Sequence, residues 1–320
     1  MDERPLARSV VARQRFARLF SLGDRNSPSS WSPALVLNKD DVELPFSLAP
    51  FEFSRDAQSL PAKLSVKTRT NLSLPFDSLD LWTATEGLVL PPSLVESNSG
   101  EFATGNEILP VSWQSLHHDL SLNDINLQPS IIILTDAPQL ANRKGLLSEA
   151  LYILRTRFPS SLIWTPGIGG PDNCAILTWM GADLFDLARS RHACSLGILL
   201  SENGPREIEE SIDEDSSMDS QILAWRNSLA ATRSAIRAGN LRELVEKQAI
   251  SSPRSVERLR IHDSKMSDLD GSISGLSRVK GQYYELRCHS YSSRDDPLIQ
   301  DWRKRIARDH TPPLHQSKVL

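Results

Sequence analysis

The chain has 320 residues, enough for one large domain or two of ordinary size, and its 39% hydrophobic and 24% charged content is typical of a globular protein. A net charge of -4 at pH 7 excludes a general attraction to nucleic acid, so any contact with RNA needs local basic patches. The three cysteines are far apart in sequence, no apolar run approaches a membrane span and no signal-peptide core is present, which predicts a reduced, cytoplasmic protein.

The first 130 residues have a weak pattern of short strands and loops. Residues 10–20 suit either a strand or a short helix, and residues 27–33 form a turn-rich break. Residues 32–37 are predicted to form a strand after a proline. Between residues 40 and 126, short apolar runs alternate with Pro, Ser and Asn, which favours strands and long loops over periodic helices.

His117, His118 and Asp119 are the candidate metal ligands of this region. Adjacent histidines in a polar loop are more often solvated than bound to a metal, so we favour the solvated alternative. Metal binding at these residues is kept as the second alternative.

Residues 129–204 have the clearest pattern. Residues 131–135 are a continuous apolar run that ends at Asp136, as expected of a strand buried on both faces. Residues 144–158 place leucines and alanines at helical spacing, and residues 161–165 are predicted to form the next strand. Alternating strands and helices with short connections indicate a parallel sheet.

A glycine-rich turn and a second strand–helix–strand unit follow. Pro171 suits the first position of a short helix, and Gly181 suits its C-terminal end. Residues 183–186 are predicted to form a short strand whose last residue is a carboxylate. In barrels built from such units, a polar residue at the carboxyl end of a strand is where chemistry is expected.

Three aspartates at these strand ends are candidate site residues. For Asp136, a role as a turn residue that caps a helix is favoured over a site role. For Asp183 and Asp186, hydrogen bonding to the next turn is the alternative to lining a functional pocket.

The C-terminal third is predicted to be mostly helical. Residues 201–220 are acidic and Ser-rich, which predicts a mobile surface loop. Residues 221–239 form an amphipathic helix, Asn240 with Glu243 suits a capping box for a second helix, and Pro253 opens a third. Several arginines suit either a basic face for RNA phosphates or solvated pairs with glutamates: Arg226, Arg233, Arg237, Arg242 and Arg260.

The end of the chain is predicted to begin a second module. Residues 264–281 serve as a Gly- and Ser-rich linker, and residues 282–289 alternate like a strand. Asp296-Pro297 starts a helix that Pro312-Pro313 ends. The chain then stops where another strand is expected, which suggests a truncated or split chain. The predicted domains are therefore 1–263, the linker 264–281, and the start of a second domain, 282–320.

Residues 161–204 resemble the tRNA-guanine transglycosylase superfamily, and most of all its archaeosine synthase branch. The residues that carry the resemblance are the Pro166-Gly167 turn, Pro171-Asp172-Asn173 and Gly181-Ala182-Asp183-Leu184-Phe185-Asp186. The run from Ile236 to Glu246 and the segment from Cys288 to Pro313 also resemble the family, and Ser32-Pro33-Ala34-Leu35 resembles it weakly. The resemblance implies a TIM-barrel-like (β/α) domain that is incomplete or irregular in its N-terminal half, followed by an α/β stub.

The family's signature ends in the aspartate that attacks the ribose in true transglycosylases, a role that would fall on Asp186. Asp186 and Asp183 are therefore the candidate catalytic residues. The family's zinc-binding cysteine run, its Asp-Ser-Gly-Gly-Phe/Tyr-Gln segment and its Gly-rich purine loop have no counterpart here. We therefore expect no zinc, no cofactor and no base exchange, which the archaeosine synthase branch is also thought to have lost.

The function that the resemblance implies is tRNA modification in archaeosine (7-deazaguanine) biosynthesis. Its chemistry would convert the nitrile of 7-cyano-7-deazaguanine in tRNA with an amino-group donor, which is transferase chemistry. The family's Pro-Cys-Ser…Lys-Pro-Tyr motif for that step is missing. The expected partners are tRNA and a second protein chain that carries the missing catalytic domain.

Two alternatives stay open. One is a non-catalytic tRNA-binding subunit. The other is an unrelated barrel enzyme that acts on a small molecule and uses Asp183 and Asp186 as an acid/base pair.

Overall fold

The computed structural model describes residues 8–23, 27–38, 41–56, 63–68, 82–85, 108–209, 211–213, 217–267 and 291–309. Four predictions lie outside these residues: the strand at 282–289, the linker beyond residue 267, the Pro312-Pro313 stop and the final residues of the chain. The first four residues of the predicted linker are described, and they continue a helix.

The described strands are short, and most lie in the N-terminal half. They are β1 (Arg8–Gln14), β2 (Ala17–Gly23), β3 (Pro28–Trp31), β4 (Ala34–Asn38), β5 (Phe51–Asp56), β6 (Lys63–Thr68), β7 (Trp82–Thr85), β8 (Ile108–Val111), β9 (Ile131–Leu134), β10 (Leu162–Trp164), β11 (Leu184–Phe185), β12 (Ile198–Ser201) and β13 (Gly204–Glu207).

The described helices follow or alternate with the later strands. They are α1 (Trp113–His118), α2 (Ala137–Ala141), α3 (Leu146–Arg157), α4 (Cys174–Met180), α5 (Ala188–Ser195), α6 (Ser217–Ala238), α7 (Leu241–Ala249), α8 (Pro253–Ser267) and α9 (Pro297–Asp309). Short 3₁₀ turns cover Leu120–Asn123 and Tyr291–Asp295.

The central sheet has the strand order β7-β6-β5-β4-β11-β10-β9-β8. Six neighbouring strands are parallel: β5, β4, β11, β10, β9 and β8. At one edge, β6 and β7 run antiparallel. The two edge strands, β7 and β8, lie within 8 Å of each other at several Cα pairs, so the sheet curls. The protein is therefore an α/β half-barrel, compatible with a TIM-like fold.

Strand β9 shows why this sequence forms a buried parallel sheet. All four of its residues are buried, and the two flanking strands pair with it in parallel. Ile132 and Leu134 belong to the core on one face of the sheet, which includes the helices, whereas Ile131 and Ile133 belong to the core on the other face. A continuous apolar run is what burial on both faces requires, and the prediction for residues 131–135 is confirmed.

Two predicted irregular regions contain strands instead. Residues 27–33 include β3, which pairs antiparallel with β2. Residues 10–20, which suit either a strand or a short helix, take the strand alternative and form a hairpin that turns at Arg15, where φ is 56°. The predicted loop at 201–220 contains β13, which pairs with β12. That hairpin is fixed by Gln221 of α6, whose side chain donates to the Ile198 carbonyl at 2.7 Å. These pairings depend on partners that a local pattern does not reveal.

The helical predictions after residue 217 are largely confirmed. Helix α6 ends before Gly239, which has φ of 77°, and α8 begins at Pro253. The predicted capping box at Asn240 is wrong, because the Asn240 side chain makes no capping hydrogen bond. Glu243 pairs instead with Lys247 at 2.9 Å.

The described part of the predicted second module packs against the helices that precede it. The Ser293 hydroxyl donates to Glu246 at 2.8 Å, and Arg242 donates to the Ser292 carbonyl at 3.2 Å. Helix α9 starts at Pro297, as predicted. Of the helices in the described ranges, none combines the length and the apolar character needed to cross a membrane. The division into domains stays a prediction.

Cys174 offers a test of how α4 packs on α6. Its thiol is fully buried, 3.0 Å from the Ser228 hydroxyl, and burial raises its pKa to about 11. We expect a variant that keeps only this cysteine (Cys194→Ser, Cys288→Ser) to resist a thiol reagent when native and to react fully in denaturant. Rapid stoichiometric labelling of the native variant would contradict this packing.

Candidate functional site

The candidate site lies where β9, β10 and β11 end side by side. These strands are parallel neighbours, so their carboxyl ends share one edge of the sheet, where α/β proteins usually place functional groups. The turn that follows β10 and the aspartate that follows β11 meet at this edge. The sequence prediction of neighbouring parallel strands here is confirmed.

The turn after β10 is held by its own glycines and by Asn173. Gly167 has φ of +73°, a left-handed conformation that favours glycine, and a Cβ at Gly169 would lie 2.8 Å from the Phe185 ring. The Asn173 side chain accepts from the Gly170 N–H at 2.8 Å and donates to the Ile168 carbonyl at 2.9 Å. The turn therefore extends through residues 171–173, and the helix begins at Cys174, later than the predicted start at Pro171.

Asp186 binds this turn to the start of α5. One carboxylate oxygen accepts from the Gly167 N–H at 2.9 Å and from the Trp164 indole N–H at 3.2 Å, and the other accepts from the Ala188 N–H at 2.9 Å. Only 9% of the residue is exposed. Burial raises the pKa of Asp186, and the three donated hydrogen bonds oppose that rise.

This arrangement limits what Asp186 can do chemically. A carboxylate has about four lone-pair sites, and three are used by these donors. Attack on a ribose carbon would compete with hydrogen bonds that fix the turn. The geometry favours the alternative in which Asp186 positions neighbouring backbone.

Asp183 lies in the protein interior rather than at the strand edge. Its side chain and that of Arg155 are both fully buried and form an ion pair, and its carboxylate also accepts from the Ile163 N–H at 2.9 Å. Arg155 donates in addition to the Gly181 and Ser161 carbonyls, each at 2.7 Å. Asp183 and Asp186 thus bind separate sets of partners, and this does not favour the acid/base pair of the small-molecule alternative.

Asp136 and the histidine pair also have other contacts. The Asp136 carboxylate accepts from the Trp113 N–H at 2.8 Å, which ties the end of β9 to the start of α1, and its side chain does not cap α2. The histidine pair lies at the surface: His117 and His118 are exposed, and the His117 ring packs against Trp113. Within the described ranges, no three His, Cys, Asp or Glu side chains are grouped to hold a metal. The absence of zinc stays a prediction.

The five arginines that suit either a basic face or pairs with glutamates have different surroundings in the structure. Arg242 is buried and pairs with Asp263 and Glu246. Arg233 donates to the Pro33 carbonyl at 2.8 Å, and Arg237 lies over the Trp31 ring. Two of the set are exposed without such contacts described: Arg226 and Arg260. Arg237 is also exposed. Arg242 therefore follows the alternative of pairing with carboxylates, and a basic face formed by the other arginines stays a prediction.

Comparison with known proteins gives one kind of support for the family resemblance. The chain is 26% identical over 211 residues to archaeosine synthase subunit alpha of Methanosarcina acetivorans. The match covers 57% of this chain and 32% of that protein, so the chain spans about a third of the relative's length. No protein-family model matches the chain. The chain is similar to a protein of archaeosine synthesis, at modest identity.

The role of Asp183 can be tested with a double-mutant cycle. Asp183→Ala leaves the buried Arg155 guanidinium without its counter-charge, and we expect a loss of about 3–5 kcal/mol in the free energy of unfolding. Combined with Arg155→Met, the loss should be smaller than the sum of the single losses by roughly 1–3 kcal/mol. Urea unfolding of the four proteins measures this coupling. Additive losses would contradict the structural ion pair.

The positioning role of Asp186 predicts a different result. In Asp186→Asn, an amide N–H₂ replaces an acceptor, so at least one buried donor loses its partner, at a cost of about 1–3 kcal/mol. Glu202→Gln is a control at an exposed carboxylate and should lose much less stability. Thermal unfolding compares the two variants. Equal stability of Asp186→Asn and wild type would contradict these hydrogen bonds.

Proposed function

We propose that this protein acts in tRNA modification in archaeosine (7-deazaguanine) biosynthesis, where it binds and positions deazaguanine-containing tRNA. The observation that carries the proposal is the similarity to archaeosine synthase subunit alpha. The α/β half-barrel, with a glycine turn and an aspartate at the carboxyl edge of neighbouring strands, supports a transglycosylase-like domain.

We further propose that the domain does not exchange bases. A nucleophilic mechanism needs a carboxylate that is free to attack and a group that handles the proton of the leaving base. The hydrogen bonds to both Asp186 oxygens argue against attack, and the complete burial of Asp183 argues against proton transfer at the edge. Any transferase step on the nitrile would then use residues outside the pair Asp183 and Asp186.

The second candidate is a non-catalytic subunit of a split modification enzyme. The relative's name describes a subunit, and these 320 residues lack the thiol- and lysine-containing motif that the resemblance associates with transfer. In this version, a second chain supplies the catalytic groups and this one supplies tRNA contacts. Both versions predict tRNA binding, and they differ in whether the chain has turnover of its own.

The test is binding of the chain to tRNA that contains 7-cyano-7-deazaguanine, followed by mass spectrometry of the nucleosides. We expect binding that weakens as salt rises, since phosphate contacts release counterions. We also expect no exchange of the base by the chain alone. Wild type and Asp186→Ala, at equal folded fraction, should bind tRNA without forming a covalent adduct.

Three outcomes decide between the readings. Absence of tRNA binding at low salt would overturn the proposed function. Base exchange or a covalent RNA adduct that disappears in Asp186→Ala would overturn the positioning role and restore Asp186 as nucleophile. Conversion of the nitrile by the chain with an ammonia or amino-acid donor would favour the enzyme over the non-catalytic subunit.

A further inference from the structure

A cleft of about 450 Å³ opens beside the turn that follows β10. Its walls come from segments far apart in the chain: the turn itself, the end of α2, Arg189 on α5 and the first turns of α8. Its volume lies in the range of pockets that hold small ligands. Gly167, whose N–H bonds to Asp186, lines this cleft, so the Asp186 hydrogen bonds fix part of its wall.

The charge of the cleft is positive although the whole protein is acidic. Arg189, Arg254 and Arg258 line it, and Asp172 is its one acidic lining residue, so the lining charge is three minus one, or +2. Arg189 and Asp172 pair with each other, with an N–O distance of 2.7 Å. The other two arginines are therefore left without a carboxylate among the lining residues.

The arginines are near enough to repel one another. Burial lowers the pKa of Arg258, and the positive charges of Arg254 and Arg189 lower it further, with only Asp172 opposing them. Such crowding of like charges destabilises the empty cleft, and an anion between the guanidinium groups would relieve it.

The hydrogen bonds of Arg254 and Arg258 leave most of their donors for a ligand. Arg258 donates to the Ala141 carbonyl at 2.6 Å, and Arg254 donates to the Asn142 side chain at 3.3 Å. These are the hydrogen bonds described for the two guanidinium groups, and each group has five N–H donors. Both acceptors lie on the α2 side of the cleft, so these hydrogen bonds hold the two guanidinium groups at its wall.

Helix α8 begins at this cleft, and two hydroxyl-bearing residues line it there: Ser252, just before the helix, and Ser255 in its first turn. The positive end of a helix dipole and hydroxyl donors both favour a negatively charged ligand. Planar guanidinium groups bind phosphate oxygens through two parallel hydrogen bonds. These features select phosphate over a neutral ligand.

We propose that this cleft binds a phosphate group of a nucleotide, with Arg254 and Arg258 as direct ligands and Arg189 held beside them by Asp172. The phosphate can belong to an RNA backbone or to a free nucleotide. Only the RNA source rests on the proposed function, because a free nucleotide would fill the same site without it.

The test compares Arg254→Gln/Arg258→Gln with the matched control Arg226→Gln/Arg260→Gln, which removes the same charge from exposed arginines outside the cleft lining. Binding is measured to a tRNA transcript over a series of salt concentrations and, separately, to AMP and inorganic pyrophosphate by calorimetry. In the cleft variant we expect tRNA affinity to fall about 10-fold per arginine. The slope of log affinity against log salt should fall by roughly 1.4–1.8, since two phosphate contacts are lost.

A Lys variant and a single variant separate ligand binding from folding. Arg254→Lys/Arg258→Lys keeps both positive charges and should recover part of the tRNA affinity and of the salt slope. If the two charges served folding alone, the salt slope would not change between the Gln and Lys variants. Arg254 is exposed, so Arg254→Gln alone should fold and still weaken binding about 10-fold. Thermal midpoints verify the folded state of each variant.

The outcomes distinguish the site from the function. If the cleft variant and the control bind tRNA, AMP and pyrophosphate equally, the phosphate site is overturned while the tRNA function stands. If wild type binds AMP or pyrophosphate, the cleft variant does not, and neither binds tRNA, the site stands and the proposed function fails. If wild type binds tRNA but not the small anions, and the cleft variant loses tRNA, the phosphate in the cleft comes from RNA.

Discussion

The guanidinium group of Arg155 is buried at the point where four segments meet. It pairs with Asp183 before β11 and donates to the Gly181 carbonyl after α4 and the Ser161 carbonyl before β10. The close approach of its side chain requires glycine at position 181, where φ is +114° and a Cβ would lie 2.7 Å from Arg155. Because these contacts fix the starts of β10 and β11, they also fix where the two strands end, and the candidate site lies at those ends.

Asp186 connects the ends of these strands to the loops that follow them. Its hydrogen bonds to Gly167 and Ala188 place the turn after β10 and the start of α5 against each other, and Trp164 supplies a third donor. A carboxylate that organises backbone in this way is poorly suited to leave its partners during a reaction. The same residue type at the same strand end can therefore serve chemistry in one protein and geometry in another.

The strands β9 to β11 were predictable because each is a short apolar run between clear turns, and burial on both faces leaves that pattern in the sequence. The strands β3 and β13 were not, because their pairing partners decide their structure and their own residues are mixed. The burial of Arg155 was not predicted for a related reason: an arginine in a leucine-rich helix is expected to be solvated. Its burial depends on Asp183, which lies in a different strand–helix unit.

The arginine cleft could not be found from the sequence, because its residues come from α5 and α8 and become neighbours only through the fold. The five arginines that the sequence suggested as a basic face lie on helices with suitable composition, yet three of them have partners inside the protein. What matters for an anion is the charge that remains after internal pairing. By that measure, Arg254 and Arg258 leave a small positive region in a protein whose net charge is -4, and such a region can bind phosphate locally without attracting nucleic acid over the whole surface.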